Sequence, residues 1–219
     1  MRVGILGGTF TPIHKAHLLI AAAALEKCRL DQVLFLPASI PPHKEISEET
    51  SFAHRLAMTR AAIAGNRAFA ASDFEARRTG ASFSVDTLQQ LKKENPEDEY
   101  FFIIGLDSFR DITTWKNYRQ LFGLANIVVA RRPGPGEDDP LGLLPVAIKD
   151  DFCYDERSLK LRHKSGFEVI FIDDTNLDIS STEIRNFIAT GQPVDAYVPQ
   201  PVIDYIEKNG LYRAKKGKT

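Results

Sequence analysis

Cysteine is nearly absent. Cys28 and Cys153 are the only two in a chain of 219 residues. Two thiols in a chain of this length make no disulfide framework, and their spacing fits no metal site. Cys28 falls in a helical pattern, where a thiol serves as a small apolar filler. A surplus of one charge is also missing, with 28 Lys and Arg against 29 Asp and Glu and a formal net charge of -1. That balance gives no electrostatic reason for a nucleic-acid polymer or a membrane surface as partner. No apolar stretch approaches the roughly 18 residues of a membrane span. The first residues lack a charged segment followed by a long apolar one, so no secretory leader is expected. A reducing cytoplasm is the expected location. Internal repeats and low-complexity segments are lacking as well, and the one basic tract, in the tail 213–219, reads as a solvated terminus.

What is present is ordinary globular material. Apolar residues make up 43% of the chain, enough for one sizeable core. Short apolar runs at Val3–Leu6, Gln32–Leu36, Ala68–Ala71, Tyr100–Ile104, Asn126–Ala130 and Glu168–Ile172 read as strands. Helical patterns lie between or after them, at His17–Glu26, Phe52–Ala64, Ser84–Lys93, up to Leu121–Phe122, Thr182–Ala189 and Val202–Lys208. The runs are unbroken rather than alternating, which marks strands buried on both faces. The expected fold is α/β: a Rossmann-like, doubly wound parallel sheet with helices on both faces, in a single domain spanning 1–219. Residues 133–166, opening on Pro-Gly-Pro-Gly, read as an irregular excursion between two strands.

The first strand runs into Gly7-Gly8-Thr9-Phe10-Thr11-Pro12-Ile13-His14-Lys15-Ala16-His17. Ligands of open parallel sheets bind at the carboxyl ends of strands. Adjacent glycines remove two Cβ atoms and let backbone N–H groups approach a phosphate. The N-terminus of the following helix points its partial positive charge at the same place. This is neither the dinucleotide fingerprint nor a Walker A loop. His14 and His17, three apart at a helix start, share a face and could bridge the oxygens of a phosphate as charge builds up. Equally open is a structural pair, one capping the helix and the other buried. Zinc fits poorly, because no third ligand stands at ligand spacing.

This stretch resembles the G-G-T/S-F-[DN]-P-x-H-x-G-H signature of the nucleotidyltransferase superfamily. Within it, the chain is similar to bacterial nicotinate-nucleotide adenylyltransferases. Further matching segments, in order, are Pro37-x-x-x-Pro41-Pro42-His43-Lys44, Arg77-Arg78-x-Gly80-x-Ser82-Phe83-Ser84-x-Asp86-Thr87-Leu88 and Phe102-Ile-Ile-Gly105-x-Asp107-Ser108. Trp115, Ile179-Ser-Ser-Thr-x-Ile-Arg185 and Val198-Pro199-x-x-Val202-x-x-Tyr205-Ile206 complete the set. Two positions depart from the commonest pattern: Thr11 replaces Asp or Asn, and Ala16 replaces the glycine between the histidines. Ala16 adds a methyl where adenosine is expected to pack against backbone.

The resemblance implies attack by the phosphate of nicotinate mononucleotide on the α-phosphorus of ATP, releasing pyrophosphate and forming deamido-NAD. A phosphate monoester is already an anion near neutrality, its second pKa being about 6, so no protein nucleophile is needed. By the same resemblance, the backbone of Gly8, Thr9 and Phe10 holds nucleotide phosphate and ribose. His14, His17 and Arg185 hold the triphosphate, and Ser180, Ser181 and Thr182 belong to that grip. Gly105 and Asp107 lie by the ribose, although Asp107 equally reads as a helix N-cap. His43 and Lys44 reach a phosphate, with Lys44 among the catalytic groups alongside His14, His17 and Arg185. Phe83, Ser84, Thr87 and Trp115 surround the nicotinate; a lone tryptophan is also ordinary core. Arg77 and Arg78 are either a surface pair or an ordering element of that loop. Ser180-x-x-Glu183 fits a capping box by itself, and a capped helix start beside an arginine suits polyphosphate. Mg²⁺ is expected to arrive with ATP rather than in a dedicated cage. The alternatives are a sister enzyme acting on the amidated mononucleotide or another phosphate ester, and a catalytically silent nucleotide-binding module.

Overall fold

The unbroken apolar runs are strands that feed two cores at once. The computed structural model describes residues 1–41, 50–131, 140–155, 160–173, 177 and 179–213. Its strands are β1 (Arg2–Gly8), β2 (Gln32–Pro37), β3 (Phe69–Ala71), β4 (Glu99–Gly105), β5 (Asn126–Arg131), β6 (Phe152–Asp155), β7 (Lys160–His163) and β8 (Glu168–Asp173). In β4, Phe101 and Ile103 join one buried cluster while Phe102 and Ile104 join the other. Side chains of a strand alternate between faces, so a sheet covered on both sides needs apolar residues at every position.

The helices cover those faces. They are α1 (Lys15–Lys27), α2 (Phe52–Ile63), α3 (Ser84–Glu94), α4 (Leu106–Arg110), α5 (Tyr118–Leu121), α6 (Ser181–Ala189) and α7 (Gln200–Asn209). One core collects Ala16, Ala21 and Ala24 of α1, Met58 of α2, Ile184 of α6 and Val202 and Ile206 of α7. The other collects Val85, Leu88 and Leu91 of α3 with Phe109 of α4 and Leu121 of α5. The alanines of α1 keep that helix close to the sheet, because each adds only one methyl. Among the described residues no helix is long and apolar enough to cross a membrane.

Strand order is β3-β2-β1-β4-β5-β8-β7-β6. The first six in that order pair in parallel, with Ile5 of β1 opposite Leu34 on one side and Phe102 on the other. The chain winds outward from β1 to β3, then crosses back to place β4 on the other side of β1. That reversal is the topological switch point, where such sheets bind ligands.

The expected α/β fold with a doubly wound parallel sheet is present, and β7 and β6 extend its edge, β6 antiparallel to β7 and β7 antiparallel to β8. The stretch 133–166 is therefore not wholly irregular: it carries a 3₁₀ turn at Val146–Asp151 and both antiparallel strands. These strands are four residues each and only half-buried, in alternation. They are held by His163, whose ring stacks on Phe122 with centroids 5.4 Å apart and meets Phe152 edge-on at 5.0 Å. So short an alternating run carries little signal in sequence.

Candidate active site

A cleft of about 450 Å³ opens at the carboxyl ends of β1 and β4. Leu6, Gly7 and Gly8 of one strand and Phe102 to Gly105 of the other line its floor. A Cβ on Gly7 or Gly105 would meet nothing within 4 Å, so both strand ends offer bare backbone to the cleft. Gly8 differs. A Cβ there would lie 2.7 Å from the Phe10 ring. Phe10 takes a left-handed φ of 50° and is only 2% exposed, with its ring edge-on to His17 at 5.0 Å. The Phe10 side chain is thus a support beneath His17, and only its backbone is available to a nucleotide.

The histidines bracket the first turn of α1, which begins at Lys15, two residues before the expected start. His14 is its N-cap and His17 the third helical residue, and their ring centroids lie 3.8 Å apart. The backbone N–H of His14 donates to Nδ1 of His17 at 3.3 Å. An accepting Nδ1 carries no proton, so the proton of His17 sits on Nε2. His17 lines the cleft. His14 is 5% exposed, and its Nδ1 has no hydrogen-bond partner among the described residues. Burial pushes its pKa down to about 4, so the ring is neutral near neutral pH.

That shift makes a prediction for stability. Between pH 6.5, the ordinary value, and about 4, the unfolded chain protonates this imidazole and the folded one does not. Folding stability therefore falls as pH drops through that window, by about 3 kcal/mol from this group. Thermal unfolding at neutral pH and at the acid end should show a smaller loss for His14→Gln than for the wild type. An equal loss would remove His14 from the pH dependence.

The far wall is aromatic. Phe83, Ser84, Trp115 and Lys116 line it. Trp115 is half-buried and meets Phe102 edge-on at 6.2 Å. The ammonium of Lys116 stands 4.7 Å from the Phe83 ring centroid and donates to both carboxylate oxygens of Asp86, at 2.8 and 3.1 Å. Glu75, from the 3₁₀ turn Phe74–Arg77, is the acidic residue among the described residues that line the cleft. It is 8% exposed; its Oε1 accepts the Thr87 hydroxyl at 2.8 Å, and its Oε2 has no partner among the described residues.

A second group closes on the loop between β1 and α1. Ser180 caps α6: its Oγ accepts from the Glu183 N–H at 3.2 Å, and the Glu183 carboxylate accepts from the Ser180 N–H at 2.9 Å. This is the capping box legible in the sequence. Arg185 donates to the Thr11 carbonyl at 2.9 Å and to the Thr182 hydroxyl at 3.1 Å. The Ser181 hydroxyl donates to the Pro12 carbonyl at 3.1 Å. The start of α6 is thereby tied to the loop that carries the glycines and histidines.

Residues 5–187 match the cytidylyltransferase-like family. Over 216 residues the chain is 55% identical to a protein of Syntrophotalea carbinolica named probable nicotinate-nucleotide adenylyltransferase, with 99% of each chain covered. A protein of the same name from Geobacter sulfurreducens is 49% identical over 97% of this chain and 98% of its own. The chain belongs to the nicotinate-nucleotide adenylyltransferase family. Its fold is also that of the Plasmodium falciparum nicotinic acid mononucleotide adenylyltransferase solved in complex with NaAD, with a TM-score of 0.72 at 22% identity, covering 96% of this chain and 97% of that one.

Against the family pattern, the placements are as follows. Gly8, Thr9, Phe10, His14, His17, Ser180, Ser181, Thr182 and Arg185 converge around one loop. Phe83, Ser84 and Trp115 stand across the cleft. Thr87 does not: it is 3% exposed and off the cleft wall, its hydroxyl held by Glu75 and receiving a hydrogen bond from Arg78. Arg78 therefore orders the loop from inside, while Arg77 pairs with Asp73 at the surface. Asp107 is not an N-cap. Gly105 takes that position, and Asp107 sits in the first turn of α4 with its side chain 99% exposed. Ala16 is 7% exposed and packs in the core with Leu6, Phe10 and Ile13, so its methyl lies in the core and off the cleft wall. His43 and Lys44 lie outside the described residues. Sequence reading missed Glu75 and Lys116. Adjacency to Trp115 was the only signal for the lysine, and nothing local marks the carboxylate. Among the described residues, no group of three or more His, Cys, Asp or Glu side chains is placed to hold a metal ion.

Proposed function

We propose that this enzyme of the nicotinate-nucleotide adenylyltransferase family transfers the adenylyl group of ATP to nicotinate mononucleotide, giving deamido-NAD and pyrophosphate. One observation carries the assignment of the site: a single cleft at the switch point has His17 and bare glycine backbone at one wall and Trp115 with Phe83 at the other. The first wall suits a polyphosphate, the second a flat aromatic ring.

An oxygen of the mononucleotide phosphate bonds to the α-phosphorus of ATP. The bond from that phosphorus to the bridging oxygen breaks, and the electron pair leaves with pyrophosphate. The attacking oxygen needs no base, because the monoester's second pKa is about 6. The protein's work is alignment and charge stabilisation. The Nε2–H of His17 donates to a phosphate oxygen, and its fixed tautomer keeps that donor ready. Neutral His14 sets the His17 ring through its backbone N–H. Arg185, already oriented by Thr11 and Thr182, faces the outer phosphates together with the α6 N-terminus. Mg²⁺ enters with the triphosphate, as it commonly does on substrate phosphates. Trp115 stacks on the pyridine ring beside Phe83.

Purified protein supplied with ATP, Mg²⁺ and nicotinate mononucleotide should release pyrophosphate, and faster than with the amidated mononucleotide. Release with the amide alone would overturn the substrate assignment.

A further inference from the structure

Arg55, in the middle of the N-terminal half of α2, is completely buried. No ion pair holds it among the described residues. Its guanidinium donates instead to four main-chain carbonyls: Nε to Thr50 at 3.0 Å, Nη1 to Thr9 at 2.9 Å and Ala38 at 2.6 Å, and Nη2 to Ser39 at 3.2 Å. An arginine stays charged even when buried, and stripping its water is costly unless its donors are met. Four carbonyls meet four of its five donors.

The partners come from three separate segments. Thr9 is in the loop after β1, on the phosphate wall. Ala38 and Ser39 are where the chain leaves β2. Thr50 is where it enters α2. The path continues. The N–H groups of Ser39 and Ile40 donate to Ser82 Oγ at 3.0 and 3.3 Å, and the Ser82 N–H donates back to the Ile40 carbonyl at 2.8 Å. Ser82 directly precedes Phe83 and Ser84 on the aromatic wall, and it lines the cleft itself. One continuous chain of hydrogen bonds thus runs from Thr9 through Arg55 and Ser39 to Ser82.

We infer that Arg55 is a positioning residue that fixes the distance between the two substrate half-sites. This rests on the two-substrate reading above. Without Arg55 the sheet pairing of β1 with β4 and the Ala38 N–H on the Gly8 carbonyl, 2.8 Å, still join the two sides, but the Thr9 and Ser39 carbonyls lose the fork that holds them at one spacing. Reaction between two bound phosphates depends on that separation, and a misplacement near an ångström is costly in rate. Arginine is required because its planar fork serves several acceptors at fixed angles, whereas lysine offers a single ammonium.

The test is Arg55→Lys, which keeps the charge and loses the fork. Turnover of ATP with nicotinate mononucleotide is compared with wild type per folded molecule, with ATP affinity measured by calorimetry. The expected result is a kcat about tenfold lower with ATP affinity unchanged. A merely structural arginine would lower Tm and leave the kcat of folded protein at the wild-type value, and that outcome overturns the inference. If Arg55→Lys does not fold, Ser82→Ala removes the two bonds to Oγ from the far link and leaves the Ser82 N–H on the Ile40 carbonyl. It should raise KM for the mononucleotide with ATP affinity unchanged, and an unaltered KM overturns the coupling. A wild-type protein inactive on both mononucleotides sinks the functional reading together with this inference. An active wild type matched by Arg55→Lys sinks the inference alone.

Discussion

Replacement of His17 by alanine is expected to lower kcat about 10²–10³-fold, the range seen when one preorganised donor to a developing oxyanion is removed. Three features preorganise this side chain. It is the third residue of α1, at the end of the helix where anions are favoured. Its Nδ1 accepts the His14 backbone N–H at 3.3 Å, which leaves the proton on Nε2. Its ring meets the edge of Phe10 at 5.0 Å, so its orientation is fixed by packing as well. None of these must be rearranged when charge builds on the phosphate oxygens, and that is why the loss falls on kcat. The KM for nicotinate mononucleotide should change little, because Trp115 and Phe83 stand across the cleft. Tm should stay near wild type, since alanine favours a helix. Steady-state turnover and thermal unfolding of the variant check both statements. A kcat within a few-fold of wild type would remove His17 from the chemistry.

The parts of the site that could be read from sequence are those whose physics is local. The Gly-Gly strand end, the histidine pair three residues apart and the Ser180–Glu183 capping box each depend on neighbours within one turn. The parallel sheet was legible because burial on both faces demands unbroken apolar runs. What escaped depends on contacts between distant segments. Thr87 matched a motif, but Glu75 and Arg78 claim its hydroxyl from the other side of a loop. Ala16 is expected to set its methyl beside the adenosine, and the packing of α1 puts that methyl in the core instead. Arg55 left one faint trace: it shares a helix face with buried Thr59 and Ile63, four and eight residues on, where an apolar side chain would be ordinary. Its partners lie up to 46 positions away, so no local pattern names them. The antiparallel strands β6 and β7 were missed because four half-buried residues carry almost no periodicity.

Gly8→Ala should lower both stability and turnover. The two glycines at the end of β1 look interchangeable in sequence, and the structure separates them. A Cβ on Gly7 projects into open cleft, with nothing within 4 Å. One on Gly8 would fall 2.7 Å from the Phe10 ring, closer than nonbonded carbons approach. The ring cannot swing aside cheaply. It is 2% exposed, packs on Phe35 with centroids 6.2 Å apart, and belongs to a residue held at positive φ. Relief must therefore come from moving Phe10 and its neighbours, at about 1–3 kcal/mol. Whatever moves Phe10 moves His17, which rests on it. The expected outcome is a drop in Tm together with a kcat lowered about a hundredfold, from misplacement of the Nε2 donor. Gly7→Ala should leave Tm unchanged and act only through the space it takes from substrate, raising KM for ATP. Thermal unfolding with turnover of the two variants side by side separates the cases. Equal Tm values for both would show that Phe10 yields freely and that the His17 ring does not depend on it.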